Sequence, residues 1–300
     1  MNPVIGGYAR LARPANLPTA AADIMAGVAI AGIFTLSDSG SIMATNSWSG
    51  IMFLICSSIF LYAGGVVLND VFDSKIDHIE RPERPIPSGL VSVKAASVYG
   101  TILLIIGVVF SYLVNTQCTI IALLLVASIV TYDAVAKNHG FFGPIVMGLC
   151  RALNLLLGMS ILDELLLPWI ALIPMVYIFA ITLISRGEVH GNNKNHIIWA
   201  GILYSIVIFT IVCVLIVQTD NFIQAIPFVI LFGYLIYRPL YKAYVSNSPK
   251  TIKKAVIAGV LSLIVMDAAI AAGFSNWGYG LMVLALLPIS MIFSKVFAVT

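Results

Sequence analysis

The chain has 300 residues, of which 60% are hydrophobic and only 10% are charged, with a formal net charge of +3. Soluble domains carry about 25% charged residues, so this composition excludes an ordinary soluble protein and indicates an integral membrane protein. The small net charge gives no reason to expect a nucleic-acid partner. We expect one transmembrane domain over residues 1–300, because apolar segments occupy almost the whole chain.

Apolar segments near the bilayer-spanning length of about twenty residues recur along the chain. They predict spans at 17–36, 50–70, 93–114, 118–137, 143–161, 165–186, 197–217, 221–240, 253–273 and 279–297. The first follows Arg10 and Arg13, as in a signal peptide, but its length predicts a retained first helix. The last two are the least distinct, since 273–280 fits either a loop or a break near the membrane surface. The sequence therefore predicts an all-α bundle of nine to ten transmembrane helices.

Lysine and arginine are distributed unevenly between the two sets of loops. The amino terminus and the loops after even-numbered spans carry fourteen of the sixteen basic residues, whereas the opposite loops carry acidic residues and no basic ones. Basic residues favour the cytoplasmic side. We therefore expect a multi-pass protein of the cell membrane whose amino terminus and polar segments 69–94 and 185–197 face the cytoplasm.

The second predicted span is followed by the acidic stretch NDVFDSKID, residues 69–77. Asn69, Asp73 and Asp77 are spaced four residues apart, which on a helix places three oxygen ligands on one face. Oxygen ligands suit Mg²⁺, which is usually held by a few carboxylates and substrate phosphates. Asp70 lies off that face and fits an ordinary polar-loop residue. Because carboxylates are costly at the edge of a bilayer, the repeat predicts a magnesium site there.

The next loop, residues 81–89, reads RPERPIPSG. Its prolines stiffen the backbone around Arg81 and Arg84. These arginines fit topological charges, but beside a magnesium site we favour a phosphate clamp, because guanidinium groups bind phosphate oxygens bidentately. A magnesium site followed by two arginines at the membrane surface predicts a lipid diphosphate as substrate.

The pattern NDxxDxxxD followed by RPxRPxxxG resembles the signature of the UbiA family of intramembrane prenyltransferases. The stretch RPANLP at residues 13–18 is similar to the family's approach to its first helix and makes Asn16 a candidate substrate contact. The resemblance implies helices around a central, lipid-accessible cavity, and Mg²⁺-dependent transfer of a polyprenyl group from its diphosphate. Relatives use aromatic acids, quinone precursors, tetrapyrroles and glycerol phosphates as acceptors, so the acceptor is not identified.

Tyr132 and Lys137 lie at the end of the fourth predicted span, where the family usually has a tyrosine and a nearby lysine. The resemblance implies that Tyr132 shields an allylic cation with its ring and that Lys137 holds a phosphate. An interfacial aromatic residue and a lysine placed by topology explain the same pair. Both interpretations stay open.

The sixth predicted span is followed by SRGEVHGNNK, residues 185–194. The family carries a second aspartate motif here, typically DxxxD, and its positions correspond to Glu188 and Asn192. The resemblance implies that these two residues bind a second Mg²⁺ and that Lys194 contacts the diphosphate. One carboxylate is replaced by a neutral amide, so we expect the second metal to bind more weakly.

Arg151 and Asn154 lie three residues apart within the apolar fifth span and share a helix face. Charged residues inside a membrane line a cavity or pair with one another. We favour cavity lining and substrate binding for both. The alternative is an ion pair with Asp23 or Asp267, the two isolated acids within apolar segments.

Three functions fit these features, and a prenyltransferase is the preferred one. Phosphatidyl transfer from a nucleotide-activated lipid also uses spaced aspartates, but its DGxxAR core is absent from the sequence. A non-catalytic isoprenoid-binding protein or transporter remains an alternative because of the altered second motif. The expected partners are a polyprenyl diphosphate, an unidentified acceptor and the lipid bilayer. The residues that we assign to catalysis are Asp73, Asp77, Tyr132 and Glu188.

Overall fold

The fold is given by a computed structural model, which describes residues 3–33 and 43–297, except for the side chains of 43–47. Helices form the fold of this part of the chain, and it contains no strand. The α-helices are α1 Pro3–Leu11, α2 Leu17–Ile30, α3 Met43–Phe72, α4 Ser74–Glu80, α5 Val93–Tyr112, α6 Thr116–Ala134, α7 Phe142–Met159, α8 Leu172–Ser185, α9 Lys194–Gln218, α10 Phe222–Ser246, α11 Pro249–Phe274, α12 Trp277–Leu284 and α13 Leu286–Val296. The predicted all-α membrane fold is confirmed.

Among the described residues, nine helical segments are long and apolar enough to cross a bilayer. They correspond to the second to tenth predicted spans, and α12 and α13 together form the last one, Trp277–Val296. The first predicted span contains α2, which has 14 residues and rises about 21 Å. Residues 34–36 of that predicted span lie outside the described residues. The chain is a multi-pass membrane protein.

Two helices, α2 and α11, form the centre of the bundle. Residues 18–30 of α2 and 262–273 of α11 are buried throughout, as expected for helices that are apolar on every side. The two helices pack against each other; α2 also contacts α3, α7 and α13, and α11 also contacts α8, α10 and α12. The core therefore runs through the bundle along this pair.

The acidic stretch continues the helical path beyond the end of α3. The amide of Asp73 donates to the carbonyl of Asn69, and the amide of Asp77 donates to the carbonyl of Asp73, both at 2.9 Å. These bonds have the spacing of an α-helix, so α4 follows α3 after one irregular residue, Asp73. The turn-by-turn placement of the motif side chains is therefore preserved.

Helices α2 and α7 bring their backbones into close contact at Gly27 and Gly158. A Cβ atom added to Gly27 would collide with the carbonyl oxygen of Leu155, and one added to Gly158 would lie 2.5 Å from the carbonyl oxygen of Ile24. Small residues allow such close approach between membrane helices. Neither obstacle is a flexible side chain, so a larger residue would have to separate the helices.

We predict that Gly27→Ala lowers the stability of the folded protein by about 1–3 kcal/mol, because the added methyl group overpacks this contact. Gly233→Ala is the matched control, since a Cβ atom there would meet only the end of the Ile208 side chain at 3.6 Å. Thermal unfolding of both variants in detergent measures the difference. Equal transition temperatures for Gly27→Ala and the control would contradict the close α2–α7 contact.

Candidate active site

Two arginines bind Asp70 and Asp77 of the acidic stretch. Arg84 Nη1 lies 3.1 Å from Asp70 Oδ1 and 2.7 Å from Asp77 Oδ2, and Arg13 Nη2 lies 2.6 Å from Asp70 Oδ1. Arg84 thus joins Asp70 to Asp77, two turns further along the helical path, and both acids are buried. The interpretation of Asp70 as an ordinary polar-loop residue was therefore wrong.

Arg13 binds Asp70 and lines the cavity, although from the sequence it was only a basic residue of the amino terminus and the first residue of the stretch RPANLP. It precedes Pro14 in a left-handed conformation, with φ 45° and ψ 66°, which is uncommon for a residue other than glycine. This conformation lies between α1 and the 3₁₀ turn Pro14–Asn16 that leads into α2. An arginine next to a proline, just before the first apolar segment, was the sequence feature that could have indicated a role at the site.

Asn69 and Asp73 of the acidic stretch contact the end of α6 and the turn that follows it. Lys137 Nζ lies 2.6 Å from Asp73 Oδ1 and 5.8 Å from the centroid of the Phe72 ring. Asn69 Nδ2 donates to Asp133 Oδ1 at 2.7 Å, which leaves the amide oxygen of Asn69 available as a ligand. Asp133 is buried and was given no role from the sequence, although an acid near the end of an apolar span is itself a signal.

A cavity of about 260 Å³ lies beside these residues. One part is lined by Arg13, Asn69, Tyr132 and Asp133, and another by Ser58, Arg151 and Asn154. Asn69 and Ser58 are eleven residues apart on α3, so these polar groups are separated by about 16 Å along the helix. Apolar side chains complete the wall, namely Leu125, Ile129, Met147, Ile178, Val260 and Leu263.

A buried polar cluster joins α2, α7 and α11 at the inner part of the cavity. Arg151 Nε lies 2.9 Å from Asp23 Oδ2, and Asn154 Nδ2 donates to the same oxygen at 2.7 Å. Asp267 interacts electrostatically with both Asp23 and Arg151. The two residues line the cavity and also bind Asp23, so cavity lining and the pairing with an intramembrane acid occur together. Substrate binding by Arg151 and Asn154 stays a prediction.

The second motif does not have the helical geometry that its spacing suggests. Gly191 and Asn192 adopt positive φ angles of 68° and 54°, so the chain turns, and Glu188 and Asn192 do not share a helix face. Asn192 is exposed, and its amide donates to the carbonyl of Asn247 at 3.3 Å. Glu188 and Asn192, the predicted pair of ligands, therefore do not lie side by side as the two aspartates of a helical DxxxD motif would.

Glu188 lies where the polar loops meet. Partial burial raises the pKa of its carboxyl above the usual value, and the nearby positive charges of Lys253 and Arg81 lower it by a smaller amount. Loops 81–92 and 186–193 therefore lie at the same end of the bundle. Arg186 Nη2 donates to the carbonyl of Gly140, so the segment between α6 and α7 lies at this end as well.

Two further candidate substrate contacts, Lys194 and Asn16, lie outside the cavity wall that the described residues form. Lys194 Nζ lies 5.5 Å from the centroid of the Tyr244 ring. Asn16 is buried at the start of α2, where its carbonyl accepts a hydrogen bond from Thr19 Oγ1 at 2.7 Å. Neither residue lines the cavity, so a substrate contact with either requires a ligand that extends beyond it.

The donor set of the acidic stretch fits Mg²⁺. Within the described part of the chain, no group of three or more histidine, cysteine, aspartate or glutamate side chains is arranged to hold a metal ion. Mg²⁺ needs only one or two carboxylates when substrate phosphates complete its shell. Asp73, Asp77 and the amide oxygen of Asn69 meet that requirement, so the site suits a metal that binds together with a diphosphate.

The profile of the UbiA prenyltransferase family matches residues 25–186, which is more than half of the chain. This chain belongs to the UbiA prenyltransferase family. Two similar relatives are digeranylgeranylglyceryl phosphate synthases: that of Sulfurisphaera tokodaii is 33% identical over 181 residues, with 57% of this chain and 64% of the relative covered. That of Methanococcoides burtonii is 36% identical over 152 residues, covering 50% and 53%. The chain thus spans less than two thirds of the length of these relatives.

Solved structures of UbiA proteins share the fold. A structure of a digeranylgeranylglyceryl phosphate synthase gives a TM-score of 0.65 at 21% identity and covers 90% of this chain and 98% of that chain. A UbiA homologue from Archaeoglobus fulgidus, bound to GPP and Mg²⁺, gives 0.66 at 15% identity and covers 93% and 99%. At these identities the likeness shows the fold of this UbiA protein.

We predict that Arg151→Met destabilises the fold more than Asp23→Asn. The first change leaves two buried carboxylates without their counter-ion, which costs about 3–5 kcal/mol, whereas the second leaves Arg151 facing Asp267. Lys94→Met removes an exposed positive charge and serves as the control. Thermal unfolding in detergent ranks the three variants. An Arg151→Met variant as stable as the control would show that the buried cluster is not held together by its charges.

Proposed function

We propose that this UbiA protein transfers a polyprenyl group from its diphosphate to an acceptor in the membrane, with Mg²⁺ as cofactor. One observation carries the proposal: the acidic stretch, three basic side chains and a cavity with largely apolar walls meet at one place. An acidic stretch alone fits many polar loops, and a cavity alone fits any lipid-binding protein. Their combination supplies a place for a metal-bound diphosphate beside a place for an isoprenoid chain.

In this proposal Asn69, Asp73 and Asp77 hold the metal, which neutralises the charge that develops on the departing diphosphate. Arg13, Arg84 and Lys137 bind the same diphosphate, because their ion pairs with the motif keep them within reach of it. Additional contacts are assigned to Arg81, Lys194 and Asn16, which lie outside the cavity wall.

The chain's remaining site residues act on the prenyl group and the acceptor. Tyr132 lines the cavity next to Asp133, and we assign to its ring the stabilisation of positive charge on the allylic carbon. Arg151 and Asn154 form part of the wall at the inner part of the cavity. Asp133 is the carboxylate of the cavity wall that accepts the proton released by the acceptor. The apolar walls limit access of water, which would otherwise compete for the allylic carbon.

A glyceryl phosphate lipid is the acceptor that we favour. The support is the name shared by the relatives, digeranylgeranylglyceryl phosphate synthase. A product with two geranylgeranyl groups on glyceryl phosphate is made by adding one such group to a hydroxyl oxygen of a lipid that carries the other. The carbon–oxygen bond of the donor breaks, the ether bond forms, and the hydroxyl proton is released.

A non-catalytic isoprenoid-binding protein is the second candidate. The geometry of the second motif favours it, because Glu188 and Asn192 do not share a helix face and Asn192 is exposed. In the enzyme, these two residues serve a second metal that binds weakly without substrate. Turnover separates the two functions, since a binding protein would retain the prenyl diphosphate unchanged.

We predict that Asp73→Ala lowers prenyl transfer by about 100-fold or more, because charge stabilisation at the diphosphate is lost. Glu80→Ala removes the same charge from an exposed position on α4 and should keep most of the activity. The assay measures the radiolabelled ether product formed from geranylgeranyl diphosphate and geranylgeranylglyceryl phosphate. Full activity of Asp73→Ala at saturating Mg²⁺ would remove the metal role. Absence of product with the unchanged protein, despite retained prenyl diphosphate, would favour the binding protein.

We also propose that the end of the bundle with the acidic stretch faces the cytoplasm, because the basic residues are concentrated there. In a variant without its four cysteines, single cysteines at Ser88 and Val189 should resist a membrane-impermeant thiol reagent added to intact cells. A cysteine at Asp220, in the loop between α9 and α10, should react. All three positions are exposed. Labelling at Ser88 but not at Asp220 would reverse the orientation.

A further inference from the structure

A second concave surface lies between α10, α11 and α13, and we call it the basic groove. It encloses about 560 Å³, a volume within the range of small-molecule sites. It is lined by Tyr234, Leu235, Arg238, Pro239, Lys242, Thr251, Lys254, Ala258, Leu261, Ser262, Leu287 and Met291. No function described above uses this surface.

Three positive charges lie at one end of the basic groove. Arg238 and Lys242 lie in the second half of α10, and Lys254 lies in the first two turns of α11. None of the three forms an ion pair with a carboxylate among the described residues, whose ion pairs involve other side chains. Arg238 Nη1 donates instead to the hydroxyl of Tyr234 at 2.7 Å. This end of the groove therefore has a net positive charge and lacks a protein counter-ion.

The other end of the basic groove is apolar. Ala258 and Leu261 continue the face of α11 on which Lys254 lies, and Leu287 and Met291 of α13 form the opposite wall. Leu261 lies seven residues after Lys254, so the apolar part extends about 10 Å from the charged part along the helix. An amphiphile with an anionic head and an apolar tail matches this division.

The basic groove is separate from the catalytic cavity. Val260 and Leu263 of α11 line the cavity, whereas Ala258 and Leu261 line the groove, and the two surfaces share no lining residue. Helix α11 thus forms a wall between them. A ligand in the groove does not occupy the proposed prenyl diphosphate site.

The charged end of the basic groove lies at the same end of the bundle as the polar loops. The amide of Asn193 donates to Asn247 Oδ1 at 2.9 Å, in the turn that joins α10 to α11. Lys253, next to Lys254, acts on the charge of Glu188. The positive end therefore lies at the level of lipid headgroups, and the apolar end extends toward the hydrocarbon core.

We propose that the basic groove binds an anionic phospholipid of the surrounding bilayer, with the phosphate at Arg238, Lys242 and Lys254 and the chain along Leu261 and Met291. Charge complementarity supports this occupant, since clustered basic residues between membrane helices attract anionic headgroups. The division into charged and apolar ends supports a lipid over a free anion. The inference is independent of the proposed prenyl transfer.

Native mass spectrometry of the delipidated protein in detergent tests the proposal, with phosphatidylglycerol and phosphatidylcholine of identical acyl chains as probes. We expect phosphatidylglycerol to bind more tightly than phosphatidylcholine. The double variant Lys242→Ala/Lys254→Ala should weaken phosphatidylglycerol binding by about tenfold or more. The control Arg10→Ala/Lys94→Ala removes two exposed positive charges outside the groove and should bind phosphatidylglycerol like the unchanged protein.

Two further measurements separate the lipid from other occupants. Leu261→Trp keeps all three charges but fills the apolar end, so it should also weaken phosphatidylglycerol binding. Inorganic phosphate at millimolar concentration should not displace the lipid. The proposal is overturned if the two lipids bind equally, if the double variant matches its control, if Leu261→Trp binds normally, or if inorganic phosphate displaces the lipid.

Discussion

Charge compensation at the membrane surface is the constraint on which the site depends. Carboxylates at the end of a membrane helix are stable only when positive groups lie close to them, and Asp70, Asp73 and Asp77 obtain such groups from three separate segments. Arg13 comes from the turn before α2, Arg84 from the loop after α4, and Lys137 from the turn after α6. Satisfying the acids therefore brings the amino terminus, the proline-rich loop and the end of α6 to the mouth of the cavity.

Charge compensation also operates at the inner part of the cavity, where it joins membrane helices instead of loops. Asp23, Arg151 and Asp267 lie on α2, α7 and α11, so the attraction of Arg151 for the two carboxyl groups favours one arrangement of these helices. The glycine contact between α2 and α7 allows the backbones to approach closely enough for the ion pair. Removing Arg151 is costly because the two carboxyl groups remain buried without a counter-ion. The buried polar cluster therefore lines the inner part of the cavity and also holds the central helices together.

The basic groove lacks acidic partners from within the described part of the protein. Arg238, Lys242 and Lys254 have no acidic partner there, although the acids of the motif each have a basic one. In our proposal, anionic lipid headgroups supply the counter-charge at this level of the membrane. Glu188 has a related position, since its carboxyl is partly buried near Arg81 and Lys253 without a direct ion pair.

The sequence by itself determined the membrane class, the spans and the family, because hydropathy and the spacing of Asn69, Asp73 and Asp77 are local properties of the chain. The shared face of Arg151 and Asn154 was also local. Tertiary structure decided which groups meet: Asp70 with Arg13, Asn69 with Asp133, and Arg151 with Asp23 as well as the cavity. These contacts join residues between 57 and 128 positions apart, so no spacing rule reveals them. The backbone also decided the geometry of the second motif. The positive φ angles of Gly191 and Asn192 end the helical path, so the four-residue spacing of Glu188 and Asn192 does not put them on one helix face.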